Sequence, residues 1–207
     1  MKRLGWHFSK TDCKLGYGDG REITTGETLI HNGTLKMCES GLHASASILD
    51  ALTYAPGPYI WRVELSGKII IRDDKMVATH RKDLWGYDAT DVLWRFVRRC
   101  ALDVVHLWDA PNVVLQYLKT GDESLRAGAR DAASSAASSD AWDAASSAAS
   151  SAAWSAAQLA LWAASWAASS SAASSVASSA AWSAAWLAAE EAQSRRLVAM
   201  ISARRPK

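Results

Sequence analysis

From Ala132 to Glu191 the chain repeats every four residues without a slip of register, and this period limits what its second half can become. Read in fours, the stretch gives fifteen units of the form Ala-Ala-[Ser/Trp]-Ser. Ala fills the first position except at Asp140 and Val176, and the second except at Leu161, Ser165 and Ser169. Trp142, Trp154, Trp162, Trp166, Trp182 and Trp186 all fall at the third position. Alanine is the strongest helix former, and serine costs only about 0.5 kcal/mol per residue against it. Between Asp131 and Ala192 there is no Gly, Pro, Lys or Arg. The repeat is therefore expected to be α-helical, about 90 Å long if straight.

Four residues turn a helix by about 400°, so successive units drift by about 40° and the tryptophans wind around it instead of forming one stripe. Periods above about 3.6 imply right-handed supercoiling, and a period of four lies beyond that of an ordinary long coiled coil. Three arrangements stay open: Ala-on-Ala packing on all sides, shorter helices packed as hairpins, and an Ala/Ser-rich sheet. A lone rod is disfavoured because it leaves the tryptophans in water. Burying each one contributes about 4–6 kcal/mol before entropy, at roughly 25 cal/mol per Å² over roughly 150–250 Å². The expected partner is hence a second copy, giving a homo-oligomer, or the repeat itself, giving an intramolecular helical bundle.

Composition changes abruptly near Gly121, which divides the 207 residues into a domain at 1–121 and a repeat region at 122–207. The formal net charge of +2 is too small to imply a nucleic-acid or acidic-membrane partner. The repeat also lacks the basic residues that would hold phosphates between its aromatics. The basic cluster Arg195, Arg196, Arg204, Arg205 and Lys207 reads as cations offsetting a helix dipole at its C-terminus. Cys13, Cys38 and Cys100 are odd in number and lack CxxC spacing, so neither a disulfide framework nor a zinc knuckle is expected. No apolar run follows Lys2 and Arg3, and serine interrupts the alanines, so neither a signal peptide nor a membrane span is expected. These features favour a soluble protein in the cytoplasm.

The first 121 residues read as α+β. Gly5 to Thr34 is rich in Gly, Thr and Asp, which suggests turns and hairpins. Tyr59 to Leu65 alternates Trp61, Val63 and Leu65 with Arg62 and Glu64, the period of a half-buried strand. Lys68 to Ile71 is a second strand, with Ser66-Gly67 expected as a hairpin turn between them. Ser45 to Tyr54 reads as a short helix stopped by Ala55-Pro56-Gly57-Pro58. A further helix is expected from an N-cap at Thr90, with Val92, Leu93, Phe96, Val97, Cys100, Val104 and Leu107 on one face. Another follows, with Asp109 as N-cap, Pro111 in the first turn and Gly121 at its end, and Asp122 can cap what comes next.

Several of these segments resemble a family of tailed-phage and prophage proteins that often carry Ala-rich tails. The motifs are Gly41-Leu42-His43-Ala44-Ser45, Asp50-Ala51-Leu52-x-Tyr54-Ala55-Pro56-Gly57, Leu107-Trp108-Asp109-Ala110-Pro111 and Thr120-Gly121-Asp122-Glu123-Ser124-Leu125-Arg126. The resemblance spans roughly residues 5 to 130 and implies phage origin, with no established activity. A shorter resemblance concerns Gly41 to Ser45, then a helix with Tyr54, then a strand. It is similar to the glycine, apolar, tyrosine, apolar, serine element of ADP-ribosyltransferase folds, which lines a nicotinamide pocket. His43 stands at the tyrosine position, and this resemblance implies a pocket lined by His43, Ser45 and Tyr54.

His7, His31, His43, His80 and His106 have no neighbours at metal-ligand spacing, and no P-loop, dinucleotide fingerprint or nucleophile elbow is present. No metal and no cofactor is expected. The function that fits is a non-enzymatic accessory protein with a host or phage protein as partner, its recognition domain made multivalent by a self-associating tail. The alternatives are an ADP-ribosyltransferase-like nucleotide-binding protein or enzyme, and a structural component of the virion.

Overall fold

The computed structural model describes residues 2–16, 18–105, 109–137 and 180–206. Five antiparallel strands lie in the N-terminal region and helices follow, a mixed α/β fold. The strands are β1 (Arg3–Ser9), β2 (Thr28–Ile30), β3 (Leu42–Ala44), β4 (Tyr59–Ile71) and β5 (Met76–Asp88). Pairing runs β1-β4-β5-β2, with β3 also paired to β5.

The long β4–β5 hairpin is the frame. Trp61, Val63 and Leu65 are buried at alternate positions of β4, as the sequence period requires. The expected turn at Ser66-Gly67 is instead a bulge inside β4, where pairing jumps from Ser66↔His80 to Ile69↔Ala78. Gly67 takes the left-handed φ of 75° that such a bulge needs, and Lys68 N–H donates to Thr79 Oγ1 at 3.1 Å. The chain reverses later, where Arg72 N–H donates to the Lys75 carbonyl at 2.8 Å.

The sheet curls until it meets itself. Ser45 follows β3, and it exchanges backbone hydrogen bonds of 2.8 and 2.9 Å with Trp6 of β1. In an extended strand the N–H and C=O of one residue point to the same edge. The Trp6–Ser45 pair therefore occupies the edge of β1 opposite β4, closing the ring β1-β4-β5-β3. Ile23, Ala44, Trp61, Val63, Leu65, Met76 and Ala78 form its apolar filling. A Cβ on Gly5 would lie 3.0 Å from Ala44 Cβ and 3.1 Å from the Ser45 carbonyl, so a side chain there would crowd the closure.

Helix α1 (Ile48–Thr53) is shorter than expected, because Ser45 is held in the sheet and Ser47 caps the helix by accepting from Leu49 N–H at 3.2 Å. Helix α2 (Thr90–Val104) buries Val92, Phe96 and Cys100 at four-residue spacing. Thr90 is its first helical residue and not its N-cap: Asp88 Oδ1 accepts from Thr90 N–H at 2.9 Å. Helix α3 (Asn112–Thr120) has Pro111 at its N-cap position, so Asp109 does not cap it. It ends at Gly121 with φ 70°, and Asp122 accepts from Ser124 N–H at 2.9 Å to start a 3-10 turn at Glu123–Leu125. Helices α4 (Arg126–Ala137) and α5 (Ala180–Ser202) cover the two ends of the repeat. Trp142, Trp154, Trp162 and Trp166 lie outside the described residues, as do His106 and Leu107.

The residues form two compact units, Met1–Leu93 with Ser194–Lys207, and Trp94–Gln193, which differ from a division at the composition change near 121. The first unit thus includes the end of α5. Leu197 and Ile201 are wholly buried, and the Ile201 carbonyl accepts from Tyr87 Oη at 2.9 Å. Arg205 lies over the Trp85 ring at 5.6 Å, and Trp85 in turn meets Trp6 edge-on at 5.9 Å. In the second unit the Arg126 guanidinium covers the Trp94 ring at 4.4 Å.

Two substitutions probe these features by chemical denaturation. Gly67→Ala forces a β-carbon into the left-handed region against Thr79 and His80, and should destabilise by about 1–3 kcal/mol. Leu197→Ala should cost about 2–5 kcal/mol although it lies in the terminal helix, because its side chain is wholly buried.

Candidate functional site

Strand β3 carries His43 to the rim of the curl, half-buried. Its Nε2 accepts from the Cys38 backbone N–H at 3.1 Å. Burial pulls the imidazole pKa below its ordinary value, and the positive charges of Arg81, Lys75 and His31 act in the same direction. His43 is a neutral ring at physiological pH, with Nε2 as an acceptor. Cys38 itself is exposed and takes the left-handed φ of 65° in the turn between Lys36 and Ser40.

Tyr54, the residue after α1, is half-exposed and directs its hydroxyl to the Asp74 carboxylate and to Lys75 Nζ, the latter at 2.9 Å. Lys75 also lies over the Tyr54 ring at 4.1 Å. The Tyr54 hydroxyl and the Cys38 side chain both hold the Lys75 ammonium in its charged form, raising its pKa. Tyr54 and Lys75 are thus paired directly, and His43 is paired with the Cys38 backbone. Two of the three residues expected to line a pocket share this surface.

Ser45 does not share it. The residue is 3% exposed, and its backbone closes the sheet against Trp6. Behind His43 stands a pair that the sequence reading passed over, Arg81 and Asp83. Both side chains are essentially without solvent exposure, with Arg81 Nε donating to Asp83 Oδ1 at 3.0 Å. Arg81 Nη1 donates to the His43 carbonyl at 3.2 Å, while Arg81 Nη2 and Asp83 Oδ2 are left without hydrogen-bond partners. Burial raises the Asp83 carboxyl to about 6, against which the Arg81 charge pulls downward. Burial also holds His7 well below its ordinary pKa, with Arg81 and His43 adding to the effect. Of the three consecutive strand positions Arg81, Lys82 and Asp83, the curl puts the first and last inside.

The rim offers an ammonium, a phenol, a carboxylate, a thiol and a neutral imidazole, groups suited to hydrogen bonding with a polar partner. Among the described residues no cluster of His, Cys, Asp or Glu is placed to hold a metal ion. Among them, too, no helix is long and apolar enough to cross a membrane.

Residues 11–95 match the model of a family described as a domain of unknown function (DUF7666). The chain is similar to that family over this segment. The segment takes in β2 to β5 with His43, Tyr54, Lys75, Arg81 and Asp83, and leaves out β1, the repeat and the terminal helix. No curated protein and no solved structure matches the chain.

The buried pair and the histidines make two separate forecasts. Arg81→Met strands the Asp83 carboxylate and should cost about 3–5 kcal/mol, while Arg81→Met combined with Asp83→Leu should recover most of the loss in urea unfolding. His7 binds its proton less readily in the folded state than unfolded, so its contribution to stability is present above its unfolded pKa and lost as pH falls below it. Asp83 acts in the opposite sense: its raised carboxyl contributes stability at low pH that is lost as pH rises towards about 6. Urea midpoints measured at neutral pH and at mildly acid pH should differ less in His7→Gln than in the parent chain, and an unchanged difference would contradict this account of His7.

Proposed function

We propose that this is a phage-encoded, non-enzymatic accessory protein in which the curled α+β domain recognises a host or phage protein and the repeat makes that recognition multivalent. The observation that carries the reading is the placement of six tryptophans at one position of an unbroken four-residue repeat. Random low-complexity sequence keeps no such register. Tryptophan is also the residue least suited to remain in water, since each ring buries roughly 150–250 Å² on contact. Helical backbone at both ends of the repeat, in α4 and α5, supports a helical mode of association. The rim around His43, Lys75 and Tyr54 supplies the polar contacts of a recognition surface, and the host cytoplasm or the virion is where such a protein acts.

Light scattering on size-separated full-length chain tests the assembly. The parent chain should be oligomeric, or a monomer with its tryptophans shielded from a collisional quencher. Replacing all six repeat tryptophans with serine should give a monomer. Oligomers of unchanged size and fluorescence would remove the repeat from any role in association.

A second reading, an ADP-ribosyltransferase-like nucleotide-binding protein, is favoured by one observation: His43, bonded to the Cys38 backbone, and Tyr54, bonded to Lys75, belong to elements that border one another through the β3–β5 pairing. It requires that ADP-ribose bind the full-length chain and that His43→Ala weaken binding at least tenfold without unfolding. Absence of binding at millimolar ADP-ribose removes this reading.

A further inference from the structure

The loop after β2 carries the only Asn-Gly step of the chain, Asn32-Gly33, and its local structure leaves that step open to reaction. We propose that Asn32 is a modification site of this protein: it loses its side-chain amide by intramolecular reaction with Gly33 and becomes aspartate or isoaspartate.

The step needs no co-reactant other than water. The Gly33 backbone nitrogen attacks Asn32 Cγ, and a new N–Cγ bond closes a cyclic imide. The Cγ–Nδ2 bond breaks, and Nδ2 leaves as ammonia with the proton given up by Gly33. Water then opens the imide. Addition at Cγ gives aspartate, and addition at the backbone carbonyl carbon gives isoaspartate, whose main chain is longer by a methylene.

Three observations carry the proposal. First, Asn32, Gly33 and Thr34 are exposed and belong to no helix or strand, so the reacting groups are free to approach each other. Second, among the described residues neither the Gly33 N–H nor the Asn32 side chain has a hydrogen-bond partner that would hold it back. Third, Gly33 has no Cβ to shield its nitrogen, and the His31 ring flanks it: a Cβ built there would lie 2.8 Å from His31 Nε2. That nitrogen is bonded to Ser40 Oγ at 3.0 Å, so groups able to pass a proton stand beside the attacking residue.

The comparable steps elsewhere in the chain are protected. Arg21 holds the Asp19 carboxylate at 2.7 and 2.8 Å, and Gly20 N–H donates to the Leu15 carbonyl at 3.2 Å. Asn112 lies in α3 before Val113, whose branched side chain shields the amide between them. The Asn32 loop is also pinned at both ends, since His31 N–H donates to the Thr79 carbonyl at 2.8 Å and Leu35 is buried. An added methylene therefore strains the segment between them. The new carboxylate enters the electrostatic surroundings of His43, on which the His31 charge already acts.

Incubation of the full-length chain at mildly alkaline pH, in ordinary and in heavy-oxygen water, tests the site by peptide mass spectrometry. The peptide that contains Asn32 should lose ammonia, take up heavy oxygen, and separate into aspartate and isoaspartate forms. The peptide that contains Asn112 should keep its amide. Gly33→Val should leave the Asn32 peptide unconverted over the interval in which the parent chain converts by half, because the branched side chain shields the nitrogen. Asn32→Gln, whose longer side chain closes the ring poorly, should likewise keep its amide, and it serves if the valine variant does not fold. A parent chain that keeps the Asn32 amide would overturn the proposal. So would aspartate without isoaspartate, the product of direct hydrolysis, and so would equal conversion in the parent and in Gly33→Val.

Discussion

Two backbone hydrogen bonds between Trp6 and Ser45 join the free edge of β1 to the end of β3, and from them follows which residues count as inside. Through this closure Gly5, Ala44, Met76 and Val63 come together in a narrow interior that leaves little room for a Cβ at position 5. The same closure draws the polar side of β5 inward, so that Arg81 and Asp83 lie buried beside His7 and beneath His43. A buried ion pair of this kind contributes little net stability, because desolvation consumes most of the Coulombic gain. What it does supply is position: Arg81 donates to the His43 carbonyl and thereby ties β3 to β5 at the rim.

The rim and the docked end of α5 lie on different parts of the first compact unit and depend on it in different ways. His43, Cys38, Lys75 and Tyr54 come from β3, from the turn before it, from the β4–β5 turn and from the end of α1. Their meeting is a consequence of the β3–β5 pairing, which aligns His43 with Val77 and so brings the turn at Lys75 close. The end of α5 depends on the outer face of the same sheet, where Trp6, Trp85 and Tyr87 form a row that Arg62 and Arg205 flank. Arg205 was legible from sequence as a helix-terminal cation, and its role here is more specific, as a planar cation resting on an indole.

Local features were legible wherever a single residue's chemistry decides the backbone. Gly121 ends α3 in the left-handed region, Asp122 caps the next turn, and Trp61, Val63 and Leu65 alternate into the core. The sequence misled where two conformations use the same residues. Ser-Gly suits a hairpin turn and equally a bulge, and continued pairing with β5 on both sides of Gly67 selected the bulge. Strand β5 itself escaped notice because its inward positions include Arg81 and Asp83, which erase the apolar alternation by which strands are recognised. Ser45 was placed at the head of a helix beside a pocket, and the pairing with Trp6 claimed its backbone for the sheet.

What the amino-acid sequence determined by itself was the repeat: its period, its lack of helix breakers and the single register of its tryptophans are covalent facts, and local propensity acts on them without help from the rest of the chain. It also determined the class of the N-terminal region, through strand period and helix caps. Only the tertiary structure decided which charges are buried, that His43 accepts from Cys38 and Tyr54 from Lys75 while Ser45 is held in the sheet, and that the last turns of the chain belong to the first compact unit. Those outcomes rest on contacts between residues tens to more than a hundred positions apart. No local pattern encodes such contacts, because each depends on the curl of the whole sheet.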